Sequence, residues 1–202
     1  MAARPGSKPS NKPRQGQLRI IGGQWRGRKL SIIDAEGLRP TGDRIRETLF
    51  NWLAAEVPGA QCLDLFAGTG ALGLEALSRG AAYCDLVESH RPAATRIAEH
   101  LKTLACDDAA VHHTAAATFL SQHQRVYDLV FLDPPFHKGL LQQVIPALEP
   151  HLKDGSLVYL EEASDEAAPP IPHHWQPLKA KHTGQVRYSL FEVKKPADSV
   201  EP

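Results

Sequence analysis

The residues best suited to chemistry form the tetrapeptide Asp133-Pro134-Pro135-Phe136, which follows the apolar run Tyr127-Asp128-Leu129-Val130-Phe131-Leu132. Two consecutive prolines remove two N–H donors and stiffen the turn. Asp133 and the Pro134 carbonyl then become fixed acceptors at the end of a buried strand. An exocyclic amine of a nucleic-acid base is a poor nucleophile, because its lone pair is delocalised into the ring. Two acceptors holding its hydrogens favour a pyramidal nitrogen whose lone pair is free to attack a methyl group, so positioning and electrostatics supply the rate. Phe136 offers a ring on which a base can stack once it has left its own stack. Such a displacement needs neither a metal nor a covalent intermediate. Taken alone, the tetrapeptide also reads as a tight structural turn.

A second constellation lies upstream. Leu63-Asp64-Leu65-Phe66-Ala67-Gly68-Thr69-Gly70 ends one predicted strand and opens a helix. Glycines at such a turn let a ligand approach main-chain N–H groups. Glu88 follows Leu86-Val87 at the end of the next strand, where an acid accepts hydrogen bonds from ribose hydroxyls. Gly68-Thr69-Gly70-Ala71-Leu72-Gly73 is a literal G-x-G-x-x-G, so with Glu88 it also satisfies a dinucleotide fingerprint. Asp64 tilts the reading toward S-adenosylmethionine. A carboxylate at the strand end suits a ligand with an ammonium and a sulfonium, and repels a pyrophosphate.

These groups must be positioned by a regular scaffold. Strand signals fall near residues 61–66, 82–88, 109–113, 127–132 and 155–161, and helix signals near 71–79, 91–105, 115–123 and 138–151. The alternation predicts an α/β fold with a doubly wound, mostly parallel Rossmann-like sheet. A last strand over 185–193, with another near 178–181, predicts an antiparallel C-terminal hairpin on its edge. Upstream, Thr41 caps a helix expected to run to Glu56, with Ile45, Leu49, Trp52 and Leu53 on one face. Arg44 and Arg46 point elsewhere, toward substrate or into exposed ion pairs with Asp43 or Glu47. Short apolar stretches at 18–21 and 29–33, separated by glycines, read as one or two small hairpins. Trp25 between them either stacks on a base or caps a small core.

Charge is distributed unevenly. The chain holds 23 basic and 23 acidic side chains, yet residues 1–33 carry eight basic residues and no acid. A basic arm on an acidic body fits a polyanion partner, although a solvated tail is the plainer account of residues 1–16. Three cysteines without a C-x-x-C fit a reducing compartment. No apolar run approaches the roughly 18 residues of a membrane span, and no signal core precedes the body, so a cytoplasmic protein is expected. The adjacent pairs His112-His113 and His173-His174 lack ligand spacing, so no metal is expected.

These motifs resemble the class I methyltransferases, and within them the amino-methylating branch with a D/N-P-P-F/Y signature. Arg19-Ile20-Ile21-Gly22-Gly23, Arg26-Gly27-Arg28 and the block from Leu38 to Asn51 further resemble the RsmD-type 16S ribosomal RNA guanine-N2 methyltransferases, over about residues 18–193. Gly184-Gln185-Val186 matches as well. The resemblance implies a basic tail at 1–16, an RNA-binding hairpin extension at 17–40, a catalytic domain at 41–195 and a short tail at 196–202. It implies catalysis by Asp133, Pro134, Pro135 and Phe136. The expected cofactor set is Asp64, Phe66, Ala67, Gly68, Gly70 and Glu88, with Thr41 and Arg44 near the methyl-donor end. Arg19, Arg26 and Arg28 are expected to hold RNA. Related enzymes often place Asp or Asn after the third strand to hold the adenine. This chain has Thr114-Ala115-Ala116-Ala117 there, leaving Ala115 and Ala116 backbone groups or the Thr114 hydroxyl. The expected partner is 16S ribosomal RNA, free or in an assembling 30S subunit, bound by a monomer. Rival readings are an adenine or cytosine amino-methyltransferase acting on DNA or another RNA, a nicotinamide-dependent oxidoreductase, and a catalytically silent RNA-binding protein.

Overall fold

The computed structural model describes residues 16–32 and 42–195. Its centre is a seven-stranded sheet. Parallel strands β3 (Gln61–Asp64), β4 (Tyr83–Glu88), β5 (Ala109–His113), β6 (Tyr127–Leu132) and β7 (Leu152–Ala163) are extended by antiparallel β9 (Val186–Val193) and β8 (Trp175–Thr183). The order is β5-β4-β3-β6-β7-β9-β8. Helices α2 (Ala71–Ser78), α3 (Arg91–Thr103), α4 (Ala116–Gln122) and α5 (Leu140–Leu148) alternate with the parallel strands. Two apolar clusters result. Cys62, Leu74, Leu86, Ile97 and Phe131 share one, and Leu63, Val87, Phe119, Val130 and Val158 share the other. Successive residues of one strand enter opposite clusters, as the period of two requires.

The sheet reverses direction of winding between β3 and β6. The chain runs from β3 outward to β5, then returns to the far side of β3 with β6 and β7. Loops after β3 and β6 therefore part at this point and leave a crevice at the carboxyl ends of the strands.

The N-terminal extension is one small antiparallel pair, β1 (Gln17–Arg19) with β2 (Lys29–Ser31). It does not stand alone. Leu18, Ile20, Trp25 and Leu30 are buried in the same cluster as α2, which settles Trp25 as a core residue. All eight residues of α2 are buried, because sheet covers one side and this extension covers another. Glu75 of α2 accepts N–H bonds from Ile21 (2.8 Å) and Gly22 (2.7 Å). Ser78 donates to the Gly22 carbonyl (2.6 Å) and accepts from Trp25 N–H (3.0 Å).

Helix α1 (Asp43–Trp52) is shorter than its apolar pattern predicts, and its N-cap is Gly42; Thr41 lies outside the described residues. The sequence reading of Arg46 as an exposed residue is corrected. Its side chain is fully buried, bonded to Asp43 (2.6 Å) and the Arg19 carbonyl (2.9 Å) and 3.5 Å from Glu75. Trp52 is half-buried and stacks on Tyr188, with ring centroids 5.6 Å apart. The strands near the carboxyl end also run longer than predicted: β7 begins at Leu152 and β8 at Trp175.

Candidate active site

Two loops flank the crevice. After β3, Gly68 and Gly70 adopt positive φ (55° and 80°), and Gly70 caps α2. The next glycine serves packing. A Cβ on Gly73 would lie 2.6 Å from Leu86 Cδ2, so only glycine lets α2 sit this close to β4. Asp64 Oδ2 accepts the Gly73 N–H (2.9 Å), while Oδ1 is buried with no hydrogen-bond partner. Burial, with the Asp133 and Glu88 charges adding to it, pushes Asp64 up to about 7. An acid held near neutrality with one oxygen unsatisfied favours a cationic neighbour. Glu88 is oriented by two backbone donors, Gly68 N–H to Oε2 (2.7 Å) and His90 N–H to Oε1 (2.6 Å). Each oxygen keeps a further acceptor site for a hydroxyl.

Across the switch point, Asp133 and Phe136 are half-buried and the Pro134 residue between them is buried. A small cleft opens beside this turn, lined among others by Pro134, Pro135, Phe136, Leu140 and Glu161. The charge of Asp133 acts on Asp64, so the two loops form one electrostatic unit.

The other sequence candidates are spread more widely: some adjoin these loops, whereas the N-terminal extension is bonded at the carboxyl end of α2, away from Gly68 and Gly70. Phe66 and Ala67 belong to the turn after β3. Ala115 and Ala116 open α4 directly after β5, the strand paired with the one that bears Glu88. Arg44 is exposed in the first turn of α1, and Arg19, Arg26 and Arg28 are exposed on the N-terminal extension. His137, next to Phe136, is exposed, and its ring lies 3.7 Å from Asp165. His112 pairs with Asp85 (2.7 Å), and among the described residues no three His, Cys, Asp or Glu groups converge as metal ligands. Sequence reasoning missed Glu161 and Tyr159 on β7. The Tyr-x-Glu spacing at the end of an apolar strand, which puts both side chains on one face, was the available signal.

A doubly wound sheet with a glycine loop after its first parallel strand, a terminal acid on the second and Asp-Pro-Pro-Phe after the fourth defines a class I methyltransferase fold with an amino-methylating signature. The family model described as conserved hypothetical protein 95 matches residues 18–192. The chain is 49% identical over 187 residues to the ribosomal RNA small subunit methyltransferase D of Escherichia coli, covering 92% of this chain and 94% of that protein. It is 46% identical to the protein of that name from Haemophilus influenzae, covering 88% and 95% of the two chains. The solved structure of the putative methyltransferase yhhF from Escherichia coli superposes with TM-score 0.83 at 47% identity, over 89% of this chain and 99% of that one. The chain therefore belongs to the conserved hypothetical protein 95 family, alongside the small subunit methyltransferases D.

Proposed function

We propose that this chain transfers a methyl group from S-adenosylmethionine to the exocyclic N2 amine of a guanosine in 16S ribosomal RNA. One observation carries the reading. Asp64 at the end of β3 and the Asp133-Pro134-Pro135-Phe136 turn after β6 stand at the ends of neighbouring strands at the switch point, close enough that the Asp133 charge acts on Asp64. The ribosomal RNA methyltransferase D relatives support the substrate class.

S-adenosylmethionine supplies, when bound, an electrophilic methyl group on a sulfonium. Asp64 and the backbone of Phe66, Ala67, Gly68 and Gly70 would hold its charged end, and Glu88 its ribose. Ala115 and Ala116 are left to flank the adenine with backbone groups, while Arg44 would lie toward the methyl-donor end. Asp133 and the Pro134 carbonyl accept the hydrogens of the target amine and hold its lone pair toward the reaction path. Pro135 fixes the turn, and Phe136 presents a ring to the base. The amine proton leaves toward Asp133.

The test is methylation of unmodified 16S RNA, and of small-subunit particles made with it, followed by digestion to nucleosides. N2-methylguanosine is the expected product. Methyladenosine or methylcytosine would overturn the guanine assignment, and no transfer to either substrate would overturn the reading altogether.

RNA positioning is assigned to Arg19, Arg26 and Arg28. The extension that carries them is latched to α2 through Glu75 and Ser78, so Arg26 and Arg28 stand on a fixed surface. Replacing both with Ala should lower RNA affinity and flatten its salt dependence by about one logarithmic unit for each phosphate no longer neutralised. Deleting residues 1–16 should do much less. A salt titration in which the deletion has the larger effect would reverse this assignment.

A further inference from the structure

The cleft beside the Asp133 turn is lined by three acids, Glu161, Glu162 and Glu166, and the methyl-transfer chemistry requires none of them. Strand β7 pairs in parallel with β6, with Phe131 opposite Tyr159 and Leu132 opposite Leu160. One residue past the last pair come Asp133, just beyond the end of β6, and Glu161, within β7, which runs on to Ala163. Glu161 is only 3% exposed and lines the cleft with Pro134 and Phe136. Tyr159, on the same face, donates its hydroxyl to Glu161 Oε1 at 2.6 Å. Tyr188 of β9 is the register neighbour of Glu161 on the other side and is buried. No cation is seated on Glu161 in any described ion pair.

We propose that Glu161 is a positioning residue for Asp133, holding a proton that it donates to the Asp133 carboxylate while Tyr159 anchors its other oxygen. Two neighbouring carboxylates, one of them buried, cannot both ionise cheaply, so the pair keeps one proton. Burial first, then the charge of Asp133, push Glu161 up to about 9, which keeps it protonated at neutral pH. The groups facing it are Asp133 from the end of β6, Tyr159 on its own strand and Tyr188 from β9. Of these only the Asp133 carboxylate is a proton acceptor, and it is the group with which Glu161 shares its proton.

The arrangement does two things. It orients the Asp133 carboxylate toward the target amine. It also gives the reaction a proton site. As the nitrogen–methyl bond forms and the sulfur–methyl bond breaks, the electron pair of the latter stays on sulfur. The amine proton passes to Asp133, and the pair, now holding two protons, returns one to solvent when product leaves. This inference rests on the amino-methylation reading, and its test separates the two.

The experiment uses the full chain and two readouts. Carbon-13 NMR of side-chain carboxyls in the free protein should show one glutamate resonance at a protonated shift at pH 7.5, moving only near pH 9 and absent in Glu161→Gln. Glu161→Ala should lower kcat by up to about 100-fold, the scale of misplacing a catalytic group by about 1 Å, with KM for S-adenosylmethionine little changed. Glu161→Gln should restore most of kcat, because its amide still donates to Asp133. Tyr159→Phe should bring the NMR transition of Glu161 to a different pH. An ionised Glu161 at pH 7.5, or a Glu161→Ala enzyme at the wild-type rate while Asp133→Ala is inactive, would overturn the pairing and leave amino-methylation standing. A wild-type rate for Asp133→Ala would overturn amino-methylation itself.

Discussion

Asp133→Ala is expected to lower turnover by roughly 100-fold or more, while S-adenosylmethionine affinity changes far less. The asymmetry follows from where the residue sits. Asp133 follows the end of β6, whereas the proposed cofactor loop is built on β3 and β4 and held by its own bonds, from Gly73 to Asp64 and from Gly68 to Glu88. Removing the Asp133 carboxylate deletes an acceptor for the amine hydrogens without disturbing those bonds. Asp133→Asn should fall between, since an amide oxygen still accepts one hydrogen bond. The missing charge also has a distant consequence. Asp133 contributes to holding Asp64 up to about 7, so both variants should ionise Asp64 at lower pH and bind a cationic cofactor slightly better below neutrality. Single-turnover methyl transfer and calorimetry on the same samples measure the two effects. A wild-type rate in Asp133→Ala would remove the acceptor mechanism.

The sheet was legible because its signals are periodic and redundant. Strands over 109–113 and 127–132 were bounded by sequence alone: the first, a half-buried edge strand, by the helix signals on either side of it, and the second as a buried apolar run. Asp64, Glu88 and Asp133 were legible because each occupies a strand end fixed by that alternation. Arg46 was not legible. Its neighbours in sequence, Arg44 and Glu47, are exposed, and local pattern offers no hint that residue 75 and the backbone of residue 19 enclose it. Glu161 failed for the same reason: its acid neighbour lies 28 positions away in sequence and meets it only through the parallel register of β6 and β7. Long-range pairing of charged groups leaves no local period to read. The shortened α1 has another cause. Gly42 rather than Thr41 occupies its N-cap, and Leu53 closes it with an N–H bond to the Leu49 carbonyl (3.0 Å) before the chain turns toward Pro58.

Glu75→Ala should be the most destabilising single change in the N-terminal half, at about 3–5 kcal/mol, the range for breaking a buried ion pair by removing one partner. Glu75 and Arg46 are both fully buried. Glu75 also accepts from Ile21, Gly22 and the Arg79 side chain at 2.7–2.8 Å. Its removal leaves two backbone donors without partners and strands the Arg46 guanidinium, which then has only Asp43, itself 66% exposed, and the Arg19 carbonyl. For a domain with ordinary stability of about 5–15 kcal/mol, that is a large fraction. The extension should loosen first, because Glu75 ties it to α2 while the sheet keeps its own ladder. Chemical denaturation gives the total, and amide exchange at Ile21 and Gly22 locates it. Arg46→Met made together with Glu75→Leu should cost less than Glu75→Ala alone, because an apolar pair replaces a stranded charge. If the double variant is as unstable as the two single changes added, the penalty comes from poorer packing. If Glu75→Ala keeps slow exchange at Ile21 and Gly22, the extension is held by the apolar packing of Ile20 and Trp25 and the latch is dispensable. If exchange accelerates as expected, RNA affinity should fall with it while S-adenosylmethionine affinity survives. The arginines at 19, 26 and 28 would then be reading RNA from a surface whose rigidity is set by one buried carboxylate.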